Sequence, residues 1–542
     1  MAIALPRLGS QGRQAAGRRA AAPPFLWIPA VLVAGAMLLP VAYLIVRTAG
    51  ADEGIWPLLL GPRTLRLLGN TILLGAAVAA TTILLAVPLA WLTVRTDLPG
   101  APLWRVLTVL PLVVPSYVGA FVLITALGPT GMLQALLWRL WGIERLPELY
   151  GFAGAWLALS LFTYPYVLLS ARAGLRGIDP AIEEASRALG QSAATTFRRV
   201  TLPLLRPWIG AGALLVILYV FSDFGAVSMM RFDSFTTAIY LQYQGSFNRS
   251  YAAALSLVLV ALTVAVVLLE ARQGRGRYHR IGSATARLPR RVTLGCWRYP
   301  ALALVAAVVA AGVVLPVGVI TYWLVVGLRH GETVLVSLRP AVNSLYAAAL
   351  AALLTVAAAM PVAILSVRYR GSLASTLTHL SYAGYALPGI VVALALVFFG
   401  ARYAVPIYQT LALLVFAYMV LFLPQALGPL RSAMLQISPA QEESARTLGR
   451  TARQVIWSVT VPLTRPGAIA AAALVFLTTM KELPATLLLS PIGFETLATR
   501  VWSAATEALF TRAAVPALLL VLASSLSIGL LLSQEGGRWR DE

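Results

Sequence analysis

Long apolar runs alternate with short charged stretches along the whole chain. The runs fall at about 25–46, 70–94, 103–127, 149–169, 208–229 and 251–269, then at about 299–328, 343–367, 382–399, 408–430, 467–489 and 514–532. Each is close to the ~20 residues that a helix needs to cross a ~30 Å hydrocarbon core. The alternating pattern of ~10-residue strands that marks a membrane β-barrel is not seen. The first run is too long for the apolar core of a signal peptide and lacks a convincing cleavage site, so it is expected to stay as the first span. The pattern predicts an all-α polytopic membrane protein of about twelve transmembrane helices.

The polar stretches carry a second pattern. Residues 183–207 read EEASRALGQSAATTFRRVTLPLLRP, and residues 442–466 read EESARTLGRTARQVIWSVTVPLTRP. The two copies align without a gap at an offset of 259 residues. A repeat of this length divides the chain into two homologous halves. The expected layout is a tail at 1–24, a first half at 25–270 with its polar loop at 179–207, and a basic linker at 271–298. A second half follows at 299–533 with its loop at 438–466, then a tail at 534–542. Six spans per half make the halves parallel rather than inverted repeats.

Composition narrows the class. The chain is 59% hydrophobic and 11% charged, against roughly 25% charged for a soluble domain. Its formal net charge is +22, and every basic residue except Lys481 is arginine. These arginines lie in the loops, mostly in alternate ones, as a topology signal requires. Nucleic acid is therefore not expected as a partner. The bias places both polar loops and both termini in the cytoplasm. Lys481 sits in TTMKELP, so the chain has no Gly-x4-Gly-Lys-Ser/Thr nucleotide loop. The single Cys296 excludes an intramolecular disulfide, and three histidines make a dedicated zinc site unexpected. No cofactor is expected, and no catalytic residue is assigned.

The local chemistry of the repeated loop predicts an elbow. Asp179-Pro180 and Ser438-Pro439 read as helix starts, with a capping side chain followed by proline in the first turn. Glu183, Glu184, Glu442 and Glu443 then sit where the helix dipole favours negative charge. Gly190 and Gly449 permit a positive-φ stop, so a second short helix can leave at an angle and is expected to end at Pro203 and Pro462. Leu189 and Leu448 would be free to fill a groove on a partner. The competing reading, an amphipathic helix resting on lipid headgroups, accounts less well for two copies at matched positions before the fifth span of each half.

The pattern Glu-Ala-Ser-x3-Gly at 184–190, running to Leu-Pro-x3-Pro at 202–207, resembles the EAA loop of type I ABC importer permeases. The second copy departs only in reading Glu-Ser-Ala at 443–445 and Val-Pro at 461–462. SDFGAV (222–227), AIYLQY (238–243), KELPATLLL (481–489) and GFETLATRVWS (493–503) resemble ferric-iron importer permeases in particular. Thiamine, sulfate and polyamine permeases share the loop. The resemblance implies the fused, two-half form of the type I fold in a bacterial inner membrane. It implies a cytoplasmic ABC ATPase homodimer and a periplasmic substrate-binding protein as partners, besides the lipid bilayer. Glu183, Glu184, Ala185, Leu189, Gly190, Glu442, Glu443, Leu448 and Gly449 would couple the permease to that ATPase. The rival from another class is an ion-coupled secondary transporter, also built from two parallel six-span repeats. A membrane enzyme has no supporting constellation.

Three charges interrupt the apolar runs. Asp223 lies near the end of the fifth, and Glu482, beside Lys481, at the matching position of the eleventh, 259 residues on. Ionisable groups in spans usually face a cavity or a partner. The functional reading has them lining the pathway or a gate; the structural reading pairs Lys481 with one of the acids. Whether they hold a metal is left open. Tyr240, Gln242 and Tyr243 sit on the outer side, where a phenolate could touch iron, though tyrosine is also the usual interfacial anchor and that reading is preferred. Tyr164-Pro165-Tyr166 reads as a proline-modified helix, and AGVVLPVG as a small-residue contact.

Overall fold

A computed structural model of the 542-residue chain describes residues 23–51, 54–245, 249–273, 292–331, 338–369 and 371–536. Most of the expected tails and of the basic linker lies outside these residues. The main helices are α1 (Pro24–Ala49), α2 (Pro62–Arg95), α3 (Ser116–Leu127), α4 (Phe152–Gly177), α5 (Pro180–Ala188), α6 (Leu202–Ser222) and α7 (Arg249–Gln273) in the first half. In the second they are α8 (Leu315–Arg329), α9 (Leu338–Arg368), α10 (Gly389–Tyr403), α11 (Leu411–Gln436), α12 (Pro439–Thr447), α13 (Arg465–Lys481) and α14 (Phe510–Gly536). Among the described residues, nine helices are long and apolar enough to cross a membrane, or eleven if each of two bent pairs counts as one span. Every apolar run read from the sequence overlaps a helix or a bent pair of helices, though the run at 103–127 is divided between Ala101–Val113 and the span Ser116–Trp141.

The two halves repeat one packing scheme. In the first, α2, α4 and α6 pack on one another; in the second, α9, α11 and α13 do the same. Small residues allow the close approach, notably Ala347, Ala348, Ala351, Ala352 and Ala359 on α9, all buried. Matched polar ties recur as well. Asn70 Nδ2 donates to the Asp233 carbonyl at 2.9 Å, and Asn343 Nδ2 to the Glu495 carbonyl at 2.9 Å.

The cores do not follow the halves. One apolar cluster joins α2, α4 and α6 to α8 and α14 of the second half. The other joins α9, α11 and α13 to α1 and α7 of the first. So α1 packs on α9, α10 and the helix Ser372–Ser381. In return α8 packs on α3 and α14. The hydrophobic pattern specifies that α1 must be buried in an apolar medium, but carries no information on which neighbours cover it.

Four spans are broken rather than continuous. The run at 103–127 is a helix at Ala101–Leu107, a 3₁₀ turn at Leu110–Val113, and α3. The run at 382–399 bends by 104° between Ser372–Ala386 and α10. Prolines explain both breaks, because the residue before proline disfavours helical ψ. Val114 before Pro115 has ψ 118°, and Leu387 before Pro388 has ψ 109°. Asp223 (ψ 128°) ends α6 and Glu482 (ψ 120°) ends α13, each followed by a short helix, Gly225–Met229 and Pro484–Leu489. Irregular backbone at membrane depth is tolerated only where protein or a cavity covers it. All four breaks meet around one cavity.

Candidate functional site

The elbow forms at both repeats. Asp179 Oδ1 accepts from the Ala181 amide at 2.9 Å and caps α5. Gly190 closes α5 with φ +81° and Gly449 closes α12 with φ +84°, the left-handed region that only glycine enters without strain. Leu189 and Leu448 stand out from the tips at 81% and 84% exposure. Glu184, Ala185 and Glu443 are also exposed.

The second limb of the first repeat does not end at Pro203, whereas that of the second ends at Leu463, one residue past Pro462. Helix Ala193–Thr196 passes through a π turn, Phe197–Thr201, straight into α6. Pro203 therefore sits in the first turn after a change of helical register, where its missing N–H costs little. In the second repeat the π turn is Ile456–Thr460, and the break falls at Thr464, with a 66° bend into α13.

The first glutamate of each loop turns inward. Glu183 Oε1 accepts from Thr201 Oγ1 at 2.8 Å, and Glu442 Oε1 from Thr460 Oγ1 at 2.9 Å. Arg368 at the end of α9 donates from Nε to Glu442 Oε1 at 3.0 Å, and from its guanidinium to the Ile437 carbonyl at 3.1 Å. Arg95 at the end of α2 occupies the same place. It binds the Leu175 carbonyl at 2.8 Å and stands 3.8 Å from Glu183 Oε1. Each elbow is thus pinned to the second span of its own half. Arg95 and Arg368 read only as topology charges in the sequence. The signal that could have found them is their matched position, one at the end of each second span.

A cavity of about 270 Å³ lies between the halves, lined by residues of all four broken spans. Asp223 is 7% exposed. Its Oδ1 accepts from the Ala226 and Val227 amides at 2.9 and 3.3 Å, capping the short helix beyond it, and Ser116 Oγ donates to Oδ2. Glu482 repeats the cap through the Ala485 amide at 3.2 Å. Where Ser116 stands in the first half, the second has Gly389, and a Cβ there would lie 2.7 Å from Glu482 Oε1. The longer acid thus occupies the room that the missing side chain leaves. Lys481 neutralises neither acid among the described residues. Its Nζ donates to the Leu112 carbonyl at 2.9 Å, across the two halves.

The remaining polar readings resolve simply. Tyr164 Oη donates to the Thr108 carbonyl at 2.7 Å, and α4 runs unbroken through Pro165. Tyr240 packs on Phe224 at 4.6 Å between centroids with the rings tilted by 55°, so its ring is as much core as anchor. In AGVVLPVG, Gly312 lies against Pro111, where a Cβ would come within 2.6 Å of the ring.

The chain matches the family described as "Binding-protein-dependent transport system inner membrane component" twice, over residues 83–276 and 355–534. It belongs to that family. Each matched stretch contains one elbow. The permease is 34% identical to "Fe(3+)-transport system permease protein FbpB 2" of Haemophilus influenzae, over 94% of this chain and 98% of that one. It is 24% identical to "Ferric transport system permease protein FbpB" of Actinobacillus pleuropneumoniae, over 78% of this chain and 64% of that one. It is also 30% identical to "Molybdenum transport system permease protein ModB" of Escherichia coli, over 39% of this chain and 96% of that one. The last match is half a chain long, which is how a single-half permease aligns with a fused pair. The protein is therefore a multi-pass inner-membrane transport permease, two family units fused in one chain.

Proposed function

We propose that this permease carries ferric iron inward, with energy supplied by a separate ATPase. The observation that carries the substrate is the end-to-end likeness to a protein named for Fe(3+) transport. The half-chain likeness to ModB supports a second reading, an inorganic oxyanion. Both loops, both termini and the basic linker lie on the cytoplasmic side in this reading, as the arginine bias argues. One elbow enters a groove on each subunit of an ATPase homodimer, led by Leu189 and Leu448. A periplasmic binding protein delivers the substrate to the opposite face. ATPase closure moves both elbows, and each pinned second span carries that motion to the broken spans around the cavity. Asp223, Lys481 and Glu482 line the pathway there, and the Lys481–Leu112 contact is one bond that must break for the halves to part. Such switching requires contacts that differ between the two states.

The test is uptake into proteoliposomes holding the permease and its ATPase, with an iron-loaded binding protein outside. Iron entry that needs both ATP and the binding protein is the expected result. Molybdate entry under the same conditions would move the assignment to the oxyanion. Uptake driven by an ion gradient alone would overturn the coupling to ATP.

A further inference from the structure

We propose that the cavity between the halves is a transit site that holds a hard metal cation by carboxylate and phenol oxygens. The inference rests on the ferric-iron reading above and adds to it a stopping place inside the membrane.

The first argument is an inventory of donors. The donors beside the two acids are committed. Ser116 Oγ donates to Asp223, Lys481 Nζ to the Leu112 carbonyl, and Thr486 Oγ1 to the Glu482 carbonyl at 2.6 Å. The amides of Ala226, Val227 and Ala485 cap the two acids. Two carboxylates, one from each half, line the space with the single ammonium of Lys481, and carboxylate oxygens suit a hard cation.

The second argument is independent of the acids. Tyr117 lines the cavity, is 3% exposed, and its hydroxyl has no hydrogen-bond partner. An unsatisfied buried hydroxyl is costly. Tyr166 and Tyr219 also line the cavity, their rings 5.9 Å apart, and Tyr385 faces them from the second half. Phenol and carboxylate oxygens together are hard donors. A phenol that coordinates releases its proton to water, so the ion is held by anionic oxygens, and leaves when the halves separate their contributions.

The experiment uses the full chain in lipid nanodiscs, titrated with ferric nitrilotriacetate and, separately, with molybdate. The expected result is one retained iron per chain and a visible phenolate-to-iron charge-transfer band. Tyr117→Phe should diminish the band. Asp223→Asn with Glu482→Gln should weaken retention at least ~10-fold, the scale on which metal sites respond to lost support. Tyr322→Phe, outside the cavity, should change neither. A wild-type chain that retains no iron and shows no band overturns the site, even if iron uptake in proteoliposomes succeeds. Retention of molybdate instead of iron overturns the cation class. A full band in the double acid variant overturns the assigned ligands.

Discussion

Replacing Glu442 by Gln keeps the shape of the side chain and removes its charge. In the structure one oxygen, Glu442 Oε1, accepts from both Arg368 Nε and Thr460 Oγ1 at 3.0 and 2.9 Å. The two side chains of the ion pair are 14% and 11% exposed. Hydrogen bonds to a charged group are worth ~1.5–3 kcal/mol and neutral ones ~0.5–1.5 kcal/mol, so weakening two of them costs about 2 kcal/mol. That is a ~30-fold rise in local opening of α12. The matched change Glu183→Gln should do less. Arg95 stands 3.8 Å from Glu183, beyond a hydrogen bond, and Glu183 is 23% exposed. Only the Thr201 contact weakens, at a cost of about 1 kcal/mol or a ~5-fold rise. Amide hydrogen exchange of the reconstituted chain, read over 443–448 and 184–189, measures both. Faster exchange confined to the mutated elbow, and larger for Glu442, is expected. Equal effects at the two elbows, or none at the second, would refute the account of how they are held.

Further outcomes follow from the same geometry. Gly190→Val with Gly449→Val forces β-branched residues to φ above +80°, at ~1–2 kcal/mol each. Binding-protein-dependent uptake should fall while membrane insertion, read by protease accessibility, is unchanged. Gly389→Ser alone should crowd Glu482 and slow transport severalfold, and Glu482→Asp alone should leave a gap. The double change recreates the Ser116–Asp223 arrangement of the first half, so uptake should recover beyond the sum of the single effects. Lys481→Met removes the cross-half bond to Leu112. The reconstituted complex should then hydrolyse more ATP in the absence of loaded binding protein, and an unchanged basal rate would mean that the bond does not restrain the halves.

The span pattern and the elbows were legible because both depend on local chemistry. A run of apolar residues is a helix in lipid whatever surrounds it, and Gly190 and Gly449 announce a left-handed stop by residue type alone. Prolines were less transparent. Pro115 and Pro388 break spans that the hydropathy pattern draws as continuous, whereas Pro203 does not end the helix it seemed to end. Their effect depends on register, and a π turn in front of a proline is invisible in composition. Arg95 and Arg368 were hidden by their surroundings, since an arginine at a span end already has a sufficient reason to be there. Gly389 was hidden for the opposite reason: its meaning lies in Glu482, 93 positions away, and emerges only when the two are seen to share one space.

The exchange of outer helices between the cores has a consequence for biosynthesis. When α1 leaves the ribosome, the surfaces that cover Leu26, Ala30, Ala34, Met37 and Leu44 belong in part to α7 and otherwise to α9, α10 and the helix Ser372–Ser381, which are not translated until some 300 residues later. α1 therefore waits in lipid for most of its permanent neighbours, and the first-made half lacks part of its cover until the second is made. Joining both halves in one polypeptide guarantees that the missing surface arrives in the same place, in equal number, every time.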